Sequence, residues 1–260
     1  MRNFSNLENW VRKHFIIYRI IRRAAPFICR FITLEDGFEI LKYIKPKDYN
    51  FSILDVGAND GTSIRMIRQF QKAARIIAFD PITKPKFDLR NVDFREYALG
   101  NVKNHFSLYT PVVHGVPLTQ YSSLHSEKLR KQVEHDLGIS ESDYGIVEKS
   151  VEVRLLDSLT LTPFFIKIDV EGAEVAVIEG AKETLKHFQP IILVEIQSQE
   201  SYDLISRYMI EQNYVCISLK PHKNLSNSNI SHNYQHRYIS SQNNYVWIPN
   251  TTSSSWIFNR

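Results

Sequence analysis

The sequence predicts an α/β fold, with one mostly parallel sheet of seven strands and helices on both faces. Short apolar runs rich in Val, Ile and Phe alternate with segments whose apolar residues recur every three or four positions, a pattern typical of alternating strands and helices. The first run ends in a turn that contains Gly57 and Gly61, and a helical pattern follows. The 260 residues suffice for one large domain with its own core.

The predicted elements follow one another along the chain. The strands of the sheet are 51–56, 75–79, 92–98, 164–168, 190–196, 214–219 and 245–248. Two further extended runs, 105–110 and 150–154, lie between the third and fourth strands. The predicted helices are 34–41, 62–72, 126–137, 173–187 and 200–212. The other parts of 111–149 and 220–243 are predicted loops, which commonly form the walls of binding pockets.

The composition is that of an ordinary globular protein. Hydrophobic residues make up 43% of the chain and charged residues 23%. No apolar run reaches the roughly 18 residues needed to span a bilayer, and the early apolar stretch lacks a small-residue cleavage site. The two cysteines, Cys29 and Cys216, are far apart and have no metal-binding spacing. We therefore expect free thiols in a reducing, cytoplasmic compartment.

The N-terminal residues 1–34 form a predicted basic, amphipathic extension to a domain of residues 35–260. Seven Lys and Arg side chains stand against Glu8 before residue 34, and they alternate with apolar residues between 10 and 32. Such a helix can lie on an anionic membrane surface, here the inner one, or pack on the domain with its arginines reaching water. The rest of the chain is slightly acidic, so nucleic acid is not an expected partner.

The turn after the first strand is the first candidate cofactor site. Glycines in a strand–turn–helix unit let backbone N–H groups approach a nucleotide-like ligand closely. The turn has neither the GxGxxG pattern nor the lysine of a P-loop, and its acids, Asp55 and Asp60, would repel a pyrophosphate. A positive sulfonium is the better match, which favours S-adenosylmethionine; a dinucleotide or no cofactor at all remain the alternatives. The candidate contacts here are Asp55, Gly57, Asn59, Gly61 and Thr62.

The next two strands supply the remaining candidates for cofactor binding. Asp80 lies about 20 residues beyond the glycines, the distance at which an acid meets the ribose hydroxyls of a bound nucleoside. Tyr97 and Ala98 follow the third strand, where an adenine ring could rest. Structural alternatives exist for three candidates: Asp55 could cap the loop, Asp80 could be a turn residue, and Thr62 could begin its helix.

Asp169 and Glu171 follow the fourth strand and are the candidate catalytic residues. Transfer of a methyl group to a hydroxyl requires an aligned acceptor and removal of its proton. We predict that Asp169 contacts the hydroxyl or takes its proton, with Glu171 as the substitute. Lys167 lies on the same side of the strand as Asp169, in either a structural ion pair or a catalytic role. Glu195 could join the two acids around a divalent cation, but we predict no metal.

A series of motifs occurs in a characteristic order over roughly residues 51–197. They are DVGANDGT, IIAFDP, EYALGN, SSL, VEVRLLDSL, IKIDVEGAE and ILVEI, and NNYVWIP follows at 243–249. In order and spacing they resemble the FkbM family of S-adenosylmethionine-dependent methyltransferases. The family more often has Glu where this chain has Asp80, and the shorter acid can still accept hydrogen bonds from a diol. The N-terminus and 220–243 are outside the resemblance.

The resemblance implies a Rossmann-like class I methyltransferase fold. It also implies O-methylation of a sugar, glycan or natural-product hydroxyl, with an acceptor that is a small molecule or a glycan. Tyr109, Tyr121, Tyr144 and His125 are candidates for stacking on a sugar. Two rival hypotheses remain. One is a catalytically inactive, membrane-associated Rossmann-like binding protein, and the other is a nicotinamide-dependent reductase, which the loop and the lack of a suitable Tyr-x-x-x-Lys pair disfavour.

Overall fold

The computed structural model describes residues 37–44, 50–82, 91–113, 115–217, 238–239 and 243–250. The predicted N-terminal extension, Cys29 and most of the predicted loop 220–243 lie outside these ranges. Cys216 is buried as a free thiol. Within the described ranges, no helix combines the length and hydropathy required to cross a membrane.

Eleven strands and five α-helices are found in the described residues. The strands are β1 Ser52–Val56, β2 Arg75–Phe79, β3 Val92–Arg95, β4 Ala98–Leu99, β5 Asn104–Val113, β6 Val116–Pro117, β7 Tyr144–Arg154, β8 Pro163–Ile168, β9 Ile191–Glu195, β10 Tyr214–Ile217 and β11 Asn244–Pro249. The helices are α1 Thr62–Phe70, α2 Ser126–Leu137, α3 Glu174–Glu179, α4 Lys182–Phe188 and α5 Gln199–Glu211. A 3₁₀ turn, Phe38–Lys42, occupies part of the predicted first helix.

The main sheet confirms the predicted seven-stranded architecture. Its strand order is β10-β11-β9-β8-β1-β2-β3. Strands β9, β8, β1, β2 and β3 are parallel, and β11 runs antiparallel to both of its neighbours. The chain leaves β1 toward β2 and later returns to β1's other side as β8. This reversal creates a crevice at the carboxyl ends of β1 and β8, where open α/β sheets bind ligands.

A second sheet of four strands, in the order β4-β7-β5-β6, was not predicted. The predicted strand 92–98 is wrong as a single element, because the chain turns after Arg95 and Ala98 pairs with Val153 of β7 instead. Strand β7 also begins six residues before the predicted 150–154, and it pairs with β5 along its length. Residues 145–150 are mostly exposed on both faces, so they lack the alternation that marks a half-buried strand.

The predicted helix 173–187 is in fact two helices, α3 and α4. A Cβ atom at Gly180 would lie 1.9 Å from the carbonyl oxygen of Gly100, so the chain passes too closely for any side chain there. The carboxylate of Asp157 accepts hydrogen bonds from the backbone N–H groups of Glu183 (2.9 Å) and Thr184 (2.8 Å). This cap satisfies backbone donors that the first turn of a helix leaves open, and it starts α4 separately.

The core lies between the main sheet and its helices. Every residue of β1 and β8 is buried, as expected for parallel strands that are covered on both faces. Helix α1 buries Ile64, Met66 and Ile67, the pattern of an amphipathic helix. These buried strands form a firm support for the loops that follow them.

Candidate active site

The loop after β1 is pressed against the loop after β8. Gly57 has φ +84°, and a Cβ atom there would lie 1.7 Å from the carbonyl oxygen of Asp169. The N–H groups of Gly57 and Ala58 both donate to the carbonyl oxygen of Phe79, at 2.9 and 3.1 Å. Because only glycine fits this contact, the two loops meet without side chains between them.

Asp80 joins the loop after β1 to the turn after β2. Its carboxylate is 6% exposed and accepts hydrogen bonds from the N–H groups of Asn59 (2.9 Å) and Ile82 (2.8 Å). The structural alternative for Asp80, that it is a turn residue, therefore accounts for its contacts within the protein. The residue also lines a mainly apolar cavity together with Asn59, which keeps it in position to meet a ligand.

Asp55 lies beneath this loop and does not line the cavity. It is fully buried, accepts a hydrogen bond of 2.5 Å from the hydroxyl of Ser63, and has the ammonium group of Lys167 3.7 Å from Oδ1. Burial raises the pKa of Asp55, while Lys167 and Ser63 oppose that rise. Asp55 therefore supports the loop from below through two side chains, and the predicted cap of the loop's N–H groups is not among its contacts in the described residues.

Three further residues that were predicted to contact the cofactor also do not line the cavity. Gly61 has φ +82° and immediately precedes α1. The N–H and hydroxyl of Thr62 donate to Oδ1 of Asp60, at 3.2 and 2.8 Å, so Thr62 is the capped first residue of that helix. The ring of Tyr97 lies beneath the guanidinium group of Arg154, 4.2 Å from it. Ala98, in contrast, lines the cavity.

The cavity itself has a volume of about 240 Å³ and two unlike ends. Polar groups at the carboxyl ends of β1, β2 and β8 form one end. The other end is apolar, and its side chains come from the second sheet and the segment after β4. These side chains are Leu99, Val102, Phe106, Leu108, Val151 and Val153. A molecule with one polar, charged part and one flat apolar part matches this lining.

Lys167 and Asp169 form an ion pair at the polar end. The Lys167 ammonium donates to Asp169 Oδ2 at 2.9 Å and to the carbonyl oxygen of Gly57 at 3.4 Å. Lys167 is 5% exposed, and a buried ammonium group needs such partners. The ion-pair role predicted for Lys167 is therefore present, and Asp169 lines the cavity beside it.

Glu195, at the end of β9, shares a hydrogen bond with Asp169. Burial is the main cause that raises the pKa of Glu195 to about 8, and the charge of Asp169 and this hydrogen bond are the next causes. Two adjacent carboxyl groups cannot both ionise easily. Below that pKa, Glu195 keeps its proton, and its O–H group is placed to donate a hydrogen bond to the Asp169 carboxylate.

Glu171 lies at the far side of the same loop. It has φ +56°, lines the cavity, and accepts a hydrogen bond of 2.9 Å from the side-chain amide of Gln197. Burial raises the pKa of Glu171. Glu174 holds the loop in shape, because its Oε1 accepts from the N–H groups of Val170 (3.2 Å) and Gly172 (2.9 Å).

A second, open cavity of about 540 Å³ adjoins the first. Ser122 and Glu171 line both cavities. The other residues of the second cavity come mainly from α2 and the segment before it. They are Tyr121, Ser123, Lys128, Lys131, Gln132, His135, Asp136 and Gln197. Of the aromatic residues suggested for sugar stacking, Tyr121 lies here; Tyr109, Tyr144 and His125 line neither cavity.

Sequence patterns missed two parts of this site. The apolar end depends on the unpredicted second sheet, so Phe106 and Val151 were not candidates. The spacing of Lys128, Lys131 and His135 on one face of a predicted helix was a usable signal for the second cavity. Among the described residues, no group of three or more His, Cys, Asp or Glu side chains is arranged to hold a metal ion.

Comparisons with known proteins identify similar sequences and folds. A sequence model of the methyltransferase FkbM domain matches residues 55–216, well over half of the chain. A solved structure of the methyltransferase FkbM from Methylobacillus flagellatus KT is 13% identical over 78% of this chain and 44% of its own, with a TM-score of 0.45. The precorrin-6y C5,15-methyltransferase from Geobacter metallireducens GS-15 is 14% identical over 84% of this chain and 87% of its own, with a TM-score of 0.40.

The match with the first of these structures is partial, since this chain spans less than half of that protein's length. No curated protein matches the sequence.

Proposed function

The chain belongs to the FkbM methyltransferase family, and from that premise we propose that it transfers the methyl group of S-adenosylmethionine to a hydroxyl group. The observation that carries the proposal is the cavity at the carboxyl ends of β1, β2 and β8. Its lining combines the acids Asp80 and Asp169 with an apolar end. Gly57, in the loop after β1, has no side chain that would cover the backbone there.

The residues present fit this methyl donor. Asp80 would accept hydrogen bonds from the ribose diol, because each carboxylate oxygen can accept more than one. Asn59 and Gly57 would border the amino-acid part, and Ala98 the adenine ring. Asp55, Gly61, Thr62 and Tyr97 would shape the site from behind. When bound, S-adenosylmethionine supplies an electrophilic methyl group on a positively charged sulfur, and the described cavity presents carboxylates and no lysine or arginine side chain to that charge.

The chain's own part in the reaction is to position the acceptor and receive its proton. In the proposed mechanism the Asp169 carboxylate would receive the proton of the acceptor hydroxyl while its oxygen gains the methyl group and the bond from that carbon to the donor sulfur breaks. Lys167 holds Asp169 in place through the 2.9 Å contact. Glu195, protonated at neutral pH, donates to the same carboxylate and orients it. Glu171 faces the second cavity and would bind the acceptor.

Calorimetry with S-adenosylmethionine and, separately, with NADH tests the donor assignment. We expect saturable binding of S-adenosylmethionine alone, weakened in Asp80→Asn because an amide places a donor where the ribose diol needs an acceptor. Asp203→Asn on the exposed face of α5 is the matched control and should bind like the parent protein. Absence of saturable S-adenosylmethionine binding would refute the proposal, and saturable NADH binding would favour the reductase hypothesis.

The acceptor is proposed to be a sugar, glycan or natural product with a free hydroxyl. Peripheral membrane contact by residues 10–32 and a cytoplasmic location belong to the same proposal. Flotation with anionic liposomes, comparing the full chain with one that starts at Thr33, tests the membrane contact. Equal flotation of the two chains would assign any binding to the domain and not to the extension.

A further inference from the structure

The second cavity is bordered by a positively charged face of α2. Lys128, Lys131 and His135 are spaced by three and four residues, so they lie on one face of the helix. Leu129 and Val133 are fully buried on the opposite face. The apolar face therefore fixes the rotation of α2, and this rotation directs both lysines toward the cavity.

The two lysines form no ion pair with an acid among the described residues. Both side chains are exposed, and neither forms an ion pair within the described part of the chain. His135 already contacts Asp136 at 2.8 Å. Glu171 is the other acid of the cavity, and the amide of Gln197 holds it. The cavity thus holds two ammonium groups outside any ion pair, beside two carboxylates that have other partners.

These charges border the segment that follows Asp169. The Lys128 ammonium group lies 3.9 Å from the position that a Cβ atom at Gly172 would occupy. Ser122 and Glu171 line both cavities, so a molecule in the second cavity reaches the wall of the first. Tyr121 adds an aromatic surface on the same side.

We propose that the methyl acceptor is an anionic sugar-like molecule whose phosphate or carboxylate group is bound by Lys128 and Lys131. Its ring lies against Tyr121, and its hydroxyl group points toward Asp169. Ammonium groups suit this role because each carries three N–H donors and a full charge. The inference rests on the proposed function for its hydroxyl, whereas the anion site itself depends only on the second cavity.

Three matched probes test the anion site on the full chain: glucose, glucose 6-phosphate and glucuronate, measured by calorimetry without methyl donor. We expect at least one charged probe to bind roughly tenfold or more tightly than glucose. The double variant Lys128→Gln/Lys131→Gln should abolish that difference. Lys182→Gln/Lys186→Gln on α4 removes the same charge away from both cavities and should preserve it.

Equal binding of all three probes would overturn the proposal, and so would a charge preference that survives the α2 double variant. The stronger of the two charged probes identifies phosphate or carboxylate as the preferred group. Thermal melts of both double variants verify that each is folded, as expected for exposed lysines. Binding of S-adenosylmethionine is measured separately. If the chain binds the donor but shows no charge preference, only this inference is refuted. If it shows the charge preference but does not bind the donor, only the donor assignment is refuted.

Discussion

Replacement of Glu195 by Gln should make the protein more stable at alkaline pH. In the parent protein the carboxyl group of Glu195 can donate a hydrogen bond to Asp169 only while it remains protonated. The amide of Gln has nearly the same shape and keeps an N–H donor at every pH. The variant should therefore match the parent at about pH 4 and exceed it at about pH 9.

The size of the effect follows from the pKa of Glu195. That pKa rises from an ordinary 4.5 to about 8 in the folded protein. A group with a raised folded-state pKa stabilises the fold below its unfolded pKa, and this contribution is lost as the pH rises through the folded value. The difference between these two pKa values corresponds to a loss of at most about 5 kcal/mol of unfolding free energy. Because Glu195 is only partly buried, solvent screening reduces the expected loss to about 1–2 kcal/mol.

Urea denaturation at a series of pH values and constant ionic strength measures this effect. The difference in unfolding free energy between Glu195→Gln and the parent should grow as the pH rises above the ordinary pKa of 4.5 and level off above the raised pKa of about 8. Glu200→Gln, at an exposed position of α5, is the control and should follow the parent at every pH. If the unfolding free energies of Glu195→Gln and the parent change in parallel with pH, the hydrogen bond from protonated Glu195 to Asp169 is refuted.

Three other substitutions test separate parts of the structure. Gly57→Ala should cost at least about 3 kcal/mol in urea denaturation, because the new methyl group overlaps the backbone of Asp169; Gly138→Ala, with φ +63° and open space around it, should cost only about 1 kcal/mol. Asp169→Asn should lower turnover roughly 10²–10⁴-fold while calorimetry still detects donor binding, and unchanged turnover would remove Asp169 from the mechanism. Asp157→Ala should lower the unfolding free energy by about 1–2 kcal/mol through loss of the α4 cap, and an unchanged urea midpoint would contradict that role.

The parallel sheet could be predicted because its signals are local. Buried strands such as 75–79 and 164–168 are apolar apart from Arg75 and Lys167 and have clear ends, and the structure places them at Arg75–Phe79 and Pro163–Ile168. The second sheet depends on pairing between distant segments, such as Asn104 with Val153. The division of the helix at Gly180 likewise depends on a neighbour far away in sequence, Gly100.

The site was predictable to the level of its loops but not of its contacts. Residues after strands were correctly expected to gather at one edge, and Asp80 and Asp169 line the same cavity. The pattern could not tell a residue that faces the cavity from one beneath it. Asp55 is a residue beneath the cavity, where its carboxylate contacts Ser63 and Lys167.

The pairing of Val113 with Tyr144 has a consequence for how this protein can be altered. The segment between them, which includes β6 and α2, begins and ends at this one pair of residues, so its two ends are neighbours. Most side chains of the second cavity belong to this insert, whereas the first cavity is built chiefly by the sheets and the loops after their strands. Exchange of the insert should therefore alter the second cavity while most of the lining of the first stays intact.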